Sequence, residues 1–221
     1  QMAWQFQAMF RAKHTIPGLT NISHWSMFFG LGNGEQLPRP LAWLYQILDN
    51  QVGSNMYSLP AREKTAAKAI ETLGIWFVRP GRTALVVSRY DSNWAPSAKA
   101  ARFSFSVPSR LLPTSARIRF VEQTSENSIG NVIKEDLFRA NLLKAYYANR
   151  NPLMVKEGAS ASQQAIDLMR SKNLEYQRAF AESLRLKPGG ALAIGADQGG
   201  HTIVSTPLSP FQTKVFVLEA L

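Results

Sequence analysis

Three residues near the start of the chain carry side chains suited to chemistry at a single place. His24 and Trp25 stand side by side in NISHWSMFF, and Glu35 follows in GLGNGEQLPRP. The run 22–29 reads as a buried, aromatic-rich strand. Simple pleating sends His24 and Trp25 to opposite faces, so bringing both to one mouth takes a bulge or a bend at the strand's end. By itself His24 is the usual satisfied core histidine. Glu35 lies on an exit whose glycines and prolines read as a loop, where a carboxylate can accept from a hydroxyl or hold a cation.

Other chemistries find less support. The chain has no cysteine, which removes disulfides and thiolate catalysis. His14, His24 and His201 lie far apart, without the i, i+4 spacing of a helical metal pair, so no metal and no cofactor are expected. KPGG and ADQGGH are rich in glycine but lack the lysine and hydroxyl of a phosphate-binding loop, and they read as turns. No G-x-S-x-G elbow supports a serine nucleophile.

The formal charge of +10 favours an anionic partner such as nucleic acid, an acidic polysaccharide or a membrane surface. The basic residues are scattered through stretches such as SARIRF, and no ordered recognition motif accompanies them, so a nucleic-acid partner is not expected. No apolar run approaches the roughly 18–20 residues of a membrane span. Hydrophobic residues make up 45%, enough for a substantial core. The chain begins with Gln1, and the expectation is a piece of a longer protein.

The elements that must position these residues follow from periodicity. A buried helix is expected over 2–13, then the strand at 22–29, then a loop. A second apolar helix follows in LAWLYQILDNQ, with Leu41, Leu44, Tyr45 and Leu48 at helical spacing behind two prolines. Alternating helix and strand is the grammar of a parallel α/β sheet or barrel. Residues 1–55 therefore read as the last repeat of an α/β domain, and 56–74 as a connecting segment. From Ile75 short strands dominate: IWFVRPG, TALVVSRYD, ARFSFSVPS and ARIRFVEQ. Phe103, Phe105 and Val107 share one face, as do Ile118 and Phe120, with Arg117 and Arg119 opposite. Two helical stretches occupy about 131–185, and strands return in GALAIGA, HTIVSTPL and TKVFVLEAL. Residues 75–221 thus read as a β-sandwich with a helical insertion.

Three stretches carry a family resemblance. ISHWSMFF resembles the eighth barrel strand of glycoside hydrolase family 39, the β-xylosidase and α-L-iduronidase group. The run from SENSIGNVIKED through QQAIDLMRSKN is similar to that family's sandwich insertion, with Tyr146 or Tyr147 where a tryptophan is usual. GALAIGADQGGHTIVSTPLSPFQTKVFVLEAL resembles its closing strands. The resemblance implies the end of a (β/α)8 barrel (helix, strand 8, helix 8) followed by a β-sandwich. It also implies retaining hydrolysis of a glycosidic bond in a secreted, periplasmic or cell-surface setting.

Such hydrolysis uses two carboxyl groups about 5–5.5 Å apart, which in this clan lie on strands four and seven. They would then sit upstream of this chain or on a separate polypeptide that completes the barrel. By the same resemblance Trp25 is an apolar platform under the sugar, joined to Ser26 by a cis peptide bond. A flat indole suits a pyranose face, because the axial C–H groups are apolar. His24 and Glu35 would be its neighbours at the mouth. The expected partner is a carbohydrate, acidic if the basic charge is its complement. The other reading is a non-catalytic interaction subunit that keeps a glycosidase-like shape.

Overall fold

A computed structural model describes residues 28–32, 35–38, 40–51, 54–59, 70–91, 99–144 and 159–221. Strands β1 (Phe28–Gly32) and β2 (Glu35–Pro38) lead into helix α1 (Pro40–Leu48) and a 3-10 turn (Asp49–Gln51). Strands β3 (Asn55–Leu59), β4 (Ile70–Arg79), β5 (Arg82–Asp91), β6 (Ala101–Pro108) and β7 (Ala116–Gln123) follow. Next come helices α2 (Ile129–Arg139), α3 (Ala159–Ser171) and α4 (Asn173–Ser183). Strands β8 (Lys187–Pro188), β9 (Ala193–Asp197), β10 (His201–Leu208) and β11 (Thr213–Ala220) close the chain. The class is mixed α and β, and every strand pair among the described residues is antiparallel.

Two compact units emerge. The described residues of the sheet unit lie within Leu44–Thr124 and Leu184–Leu221, and those of the hairpin–helix unit within His24–Trp43 and Ser125–Ser183. The sheet unit holds a six-stranded sheet, ordered β3-β4-β5-β11-β7-β8, and a three-stranded one, ordered β6-β10-β9. Their apolar faces share one core. Phe103, Phe105 and Val107 of β6 and Val204 and Leu208 of β10 meet Trp76, Leu85, Val87, Phe216 and Leu218 of the larger sheet. Strict alternation is what makes β6 and β10 one-sided: alternate residues are buried along the whole of each strand.

The central strands of the larger sheet behave differently. Ile75, Trp76 and Phe77, then Ala84 to Val87, then Val215 to Leu218 are consecutive buried residues. Burial without alternation means that both faces are covered, which is unusual for an antiparallel sheet. The β4–β5 hairpin turns on Pro80 and Gly81, with Arg79 opposite Arg82 and Gly81 at φ +74°. Proline presets the first turn position and glycine supplies the positive φ of the second. Gly74 serves another need: a Cβ there would stand 2.6 Å from the Phe105 ring.

Several expectations are corrected. The stretch read as a loop after Gly30 forms strand β2, with Phe29 opposite Leu37 and a bulge between Gly30 and Gly32. A barrel strand pairs parallel with both neighbours, whereas the described end of the expected eighth strand pairs antiparallel with β2. The connecting segment shrinks, because β3 begins at Asn55 and β4 at Ile70. The second insertion helix is two, broken at Lys172. There Ser171 Oγ donates back to Leu168 O at 2.8 Å, a bond that bends helices. The helix expected over 2–13 and most of the strand at 22–29 lie outside the described residues.

Candidate functional site

Of the three expected site residues, Glu35 is described; His24, Trp25 and the Trp25–Ser26 peptide lie outside the described residues. Glu35 opens β2, directly after the hairpin turn, and its side chain is 44% exposed. The bulge explains its setting. An extra residue in one strand leaves its backbone groups without ladder partners, and here Leu31 is that residue. Its carbonyl accepts a hydrogen bond from Arg170 Nη2 of α3. The Leu31 side chain is buried, which fixes the hairpin from its other side.

Arg170 therefore anchors backbone and carboxylates together. Its Nε lies 3.6 Å from Glu35 Oε2 and its Nη1 3.5 Å from Asp167 Oδ1. Helical spacing brings Gln163, Asp167 and Arg170 to one face of α3, where Gln163 Nε2 also donates to Asp167 Oδ1 at 2.8 Å. Gln177 of α4 repeats the pattern one strand over, donating to Gln36 O at 2.9 Å. Two helical side chains thus hold two hairpin carbonyls. The planar guanidinium suits this work, since its donors diverge in a fixed fork. The arrangement leaves a half-exposed carboxylate, oriented from behind, whose oxygens can accept from ligand hydroxyls.

A second polar cluster holds the helices that carry Arg170 and Gln177. Asp136 of α2 accepts from Tyr176 Oη at 2.8 Å and from Lys172 Nζ at 3.0 Å. Burial pushes the Asp136 carboxyl up, but hydrogen bonds from Lys172 and Tyr176 and the charges of Lys172 and Arg139 outweigh it, and its pKa falls below the usual carboxylate value. Tyr176 shifts the other way. Burial, then the hydrogen bond and charge of Asp136, raise the phenol far above its ordinary value, so it stays a donor. At the far end of α4, Trp43 Nε1 donates to Ser183 O at 2.9 Å and satisfies a carbonyl that the ending helix leaves orphaned.

Arg170, Asp167 and Gln177 were missed by sequence reasoning. They stand more than 130 residues from the hairpin atoms they serve in two of these bonds, and no local spacing connects them. Among the described residues no three histidine, aspartate or glutamate side chains gather closely enough to hold a metal ion. No helix among them is long and apolar enough to cross a membrane. In comparison with known proteins, the sequence matches no family model and no curated protein.

Proposed function

We propose that the chain is the C-terminal part or subunit of a retaining glycoside hydrolase resembling family 39, acting on a polysaccharide or glycoside. Its catalytic carboxylates are supplied by an upstream portion or a separate chain, and Glu35 is its sugar-contacting carboxylate. The observation that carries this reading is Glu35 itself, held half-exposed at a hairpin turn by a guanidinium that also grips the bulged backbone. Preorganised acceptors of this kind lose little entropy on binding a hydroxyl. In this reading β1 and β2 continue the eighth barrel strand past the mouth as a hairpin. Trp25 and His24 keep the places the resemblance implies, and the sheet unit buttresses the barrel.

The second reading, a non-catalytic interaction subunit, draws on the larger sheet. Central strands covered on both faces suit a buttress that carries load without chemistry.

The test is calorimetric titration of the full chain with xylotriose and trigalacturonate, beside Glu35→Gln. Losing a charged acceptor costs about 1.5–3 kcal/mol, or roughly 10- to 100-fold in affinity. Loss of that order in Glu35→Gln with at least one glycan supports the hydrolase reading. Equal affinity of the two proteins for both glycans, or binding of neither, removes Glu35 from the site and leaves the interaction-subunit reading.

A further inference from the structure

The outer face of α2 carries a groove that the Glu35 site does not use. Asn131, Lys134, Glu135, Phe138 and Leu143 line an open depression of about 400 Å³, near the lower end of the ~300–1,000 Å³ of small-molecule sites. Ile129, Ile133 and Leu137 are the buried stripe of this helix, and Phe138 falls outside it. Phe138 is 65% exposed, and with Leu143 it forms the apolar part of the groove lining.

The helix holds this face still. Asn141, at φ 57°, ends α2 in a left-handed cap, with Leu142 N donating to Leu137 O at 2.7 Å and Ala140 N to Asp136 O at 3.0 Å. Asn131 Nδ2 donates to Ser125 O at 2.8 Å and ties down the other end. Asp136, on the side away from the groove lining, is fixed by Lys172 and Tyr176.

The polar groups decide what the ring is for. Glu135 is paired with Arg139, Nε to Oε1 at 2.9 Å, so its charge is compensated. Lys134 has no ion-pair partner among the described residues, so its ammonium is the charged group of the lining left for a ligand. An aromatic face beside an ammonium and an amide matches a sugar ring: apolar C–H groups lie on the phenyl, and hydroxyls and a carboxylate meet the polar side chains. The charge of +10 over the whole chain adds long-range attraction for an anion.

We propose that this groove is a glycan-binding site for uronate-containing saccharides, separate from Glu35, with Phe138 as platform and Lys134 as the carboxylate's partner. The inference goes beyond the hydrolase reading and does not depend on Glu35.

The experiment is titration of the full chain with trigalacturonate and, as its uncharged counterpart, galactotriose, using Phe138→Ala, Lys134→Met and Glu35→Gln. All three positions are exposed, and unchanged thermal unfolding certifies each fold. Trigalacturonate is expected to bind the tighter of the two. Phe138→Ala weakens trigalacturonate binding about 3- to 10-fold, as expected for one aromatic contact. Lys134→Met erases the preference for the acid, about 10-fold, and both losses persist in a Glu35→Gln background, where any contribution of Glu35 is gone. Wild-type affinity in both groove variants, or no binding at millimolar saccharide, overturns the proposal. Loss confined to Glu35→Gln also overturns it, while sparing the hydrolase reading.

Discussion

Each of the two units has its own internal packing, and the balance of forces differs between them. In the sheet unit the binding force is apolar area: Trp76, Leu85, Phe103, Phe105 and Phe216 are all buried between sheets. The outward faces of β4, β5 and β11 are buried as well. Charge enters there at a cost. Burial lowers the pKa of the Lys214 ammonium, which Glu122 at 4.0 Å only partly opposes. The hairpin–helix unit also buries apolar side chains, among them Leu37, Leu137 and Met169, but adds to them a network of ion pairs and charge-assisted hydrogen bonds. Arg170 grips a bulge carbonyl and two carboxylates, and Asp136 gathers Lys172 and Tyr176. Apolar burial is indifferent to direction and to pH. Ionic closure is directional, so it can aim Glu35, and it is sensitive to protonation.

Breaking each kind of contact should sharpen that contrast. The largest effect is expected in the sheet unit: Trp76→Ala should cost about 3–5 kcal/mol by leaving a cavity between the sheets, read as a fall in the denaturant midpoint. A loss below about 1 kcal/mol would mean that the core relaxes and is not closely packed.

Asp136→Asn should cost less, about 1–3 kcal/mol, because it weakens two bonds to a charged acceptor. Hydrogen exchange would register the loss in α2 and α4 while the strands keep their protection. The pH dependence follows from the sign of the shift. Asp136 has a lowered folded pKa, so its contribution is complete above the unfolded value of about 3.9 and disappears as pH falls through the folded one. The wild-type and Asp136→Asn stabilities should therefore converge in that acid window and differ by a constant amount near neutrality. Parallel curves down to acid would remove the ionised carboxylate from the account.

Arg139→Ala should do least. Its pair with Glu135 is exposed on both sides, at 74% and 56%, and such a pair contributes about 0.3–0.5 kcal/mol. A larger loss would show that the groove face takes part in holding the unit together.

The same contrast explains what the sequence disclosed. The sheet unit was legible where chemistry repeats along the chain. Alternation in β6 and the apolar runs of β5 and β11 fix strands by period and length alone. The β9–β10 hairpin was legible in ADQGG, where Gly199 and Gly200 take positive φ. The hairpin–helix unit was less legible, because what decides it is not periodic. Glycines and prolines around Glu35 read as a loop, yet Arg170 supplies from α3 the bond that the bulge at Leu31 lacks. Helical periodicity runs unbroken through Lys172, so the break there was invisible. Glu35 could be singled out as a carboxylate in a polar exit, but its anchor 135 positions away could not.

The most direct test of the account is hydrogen–deuterium exchange of the full chain at neutral pH, with and without trigalacturonate. Slower exchange is expected in the hairpin Phe28–Pro38 and along α2, with β4, β5 and β11 unchanged. Slowing confined to the sheet strands, or none anywhere at saturating saccharide, would contradict it.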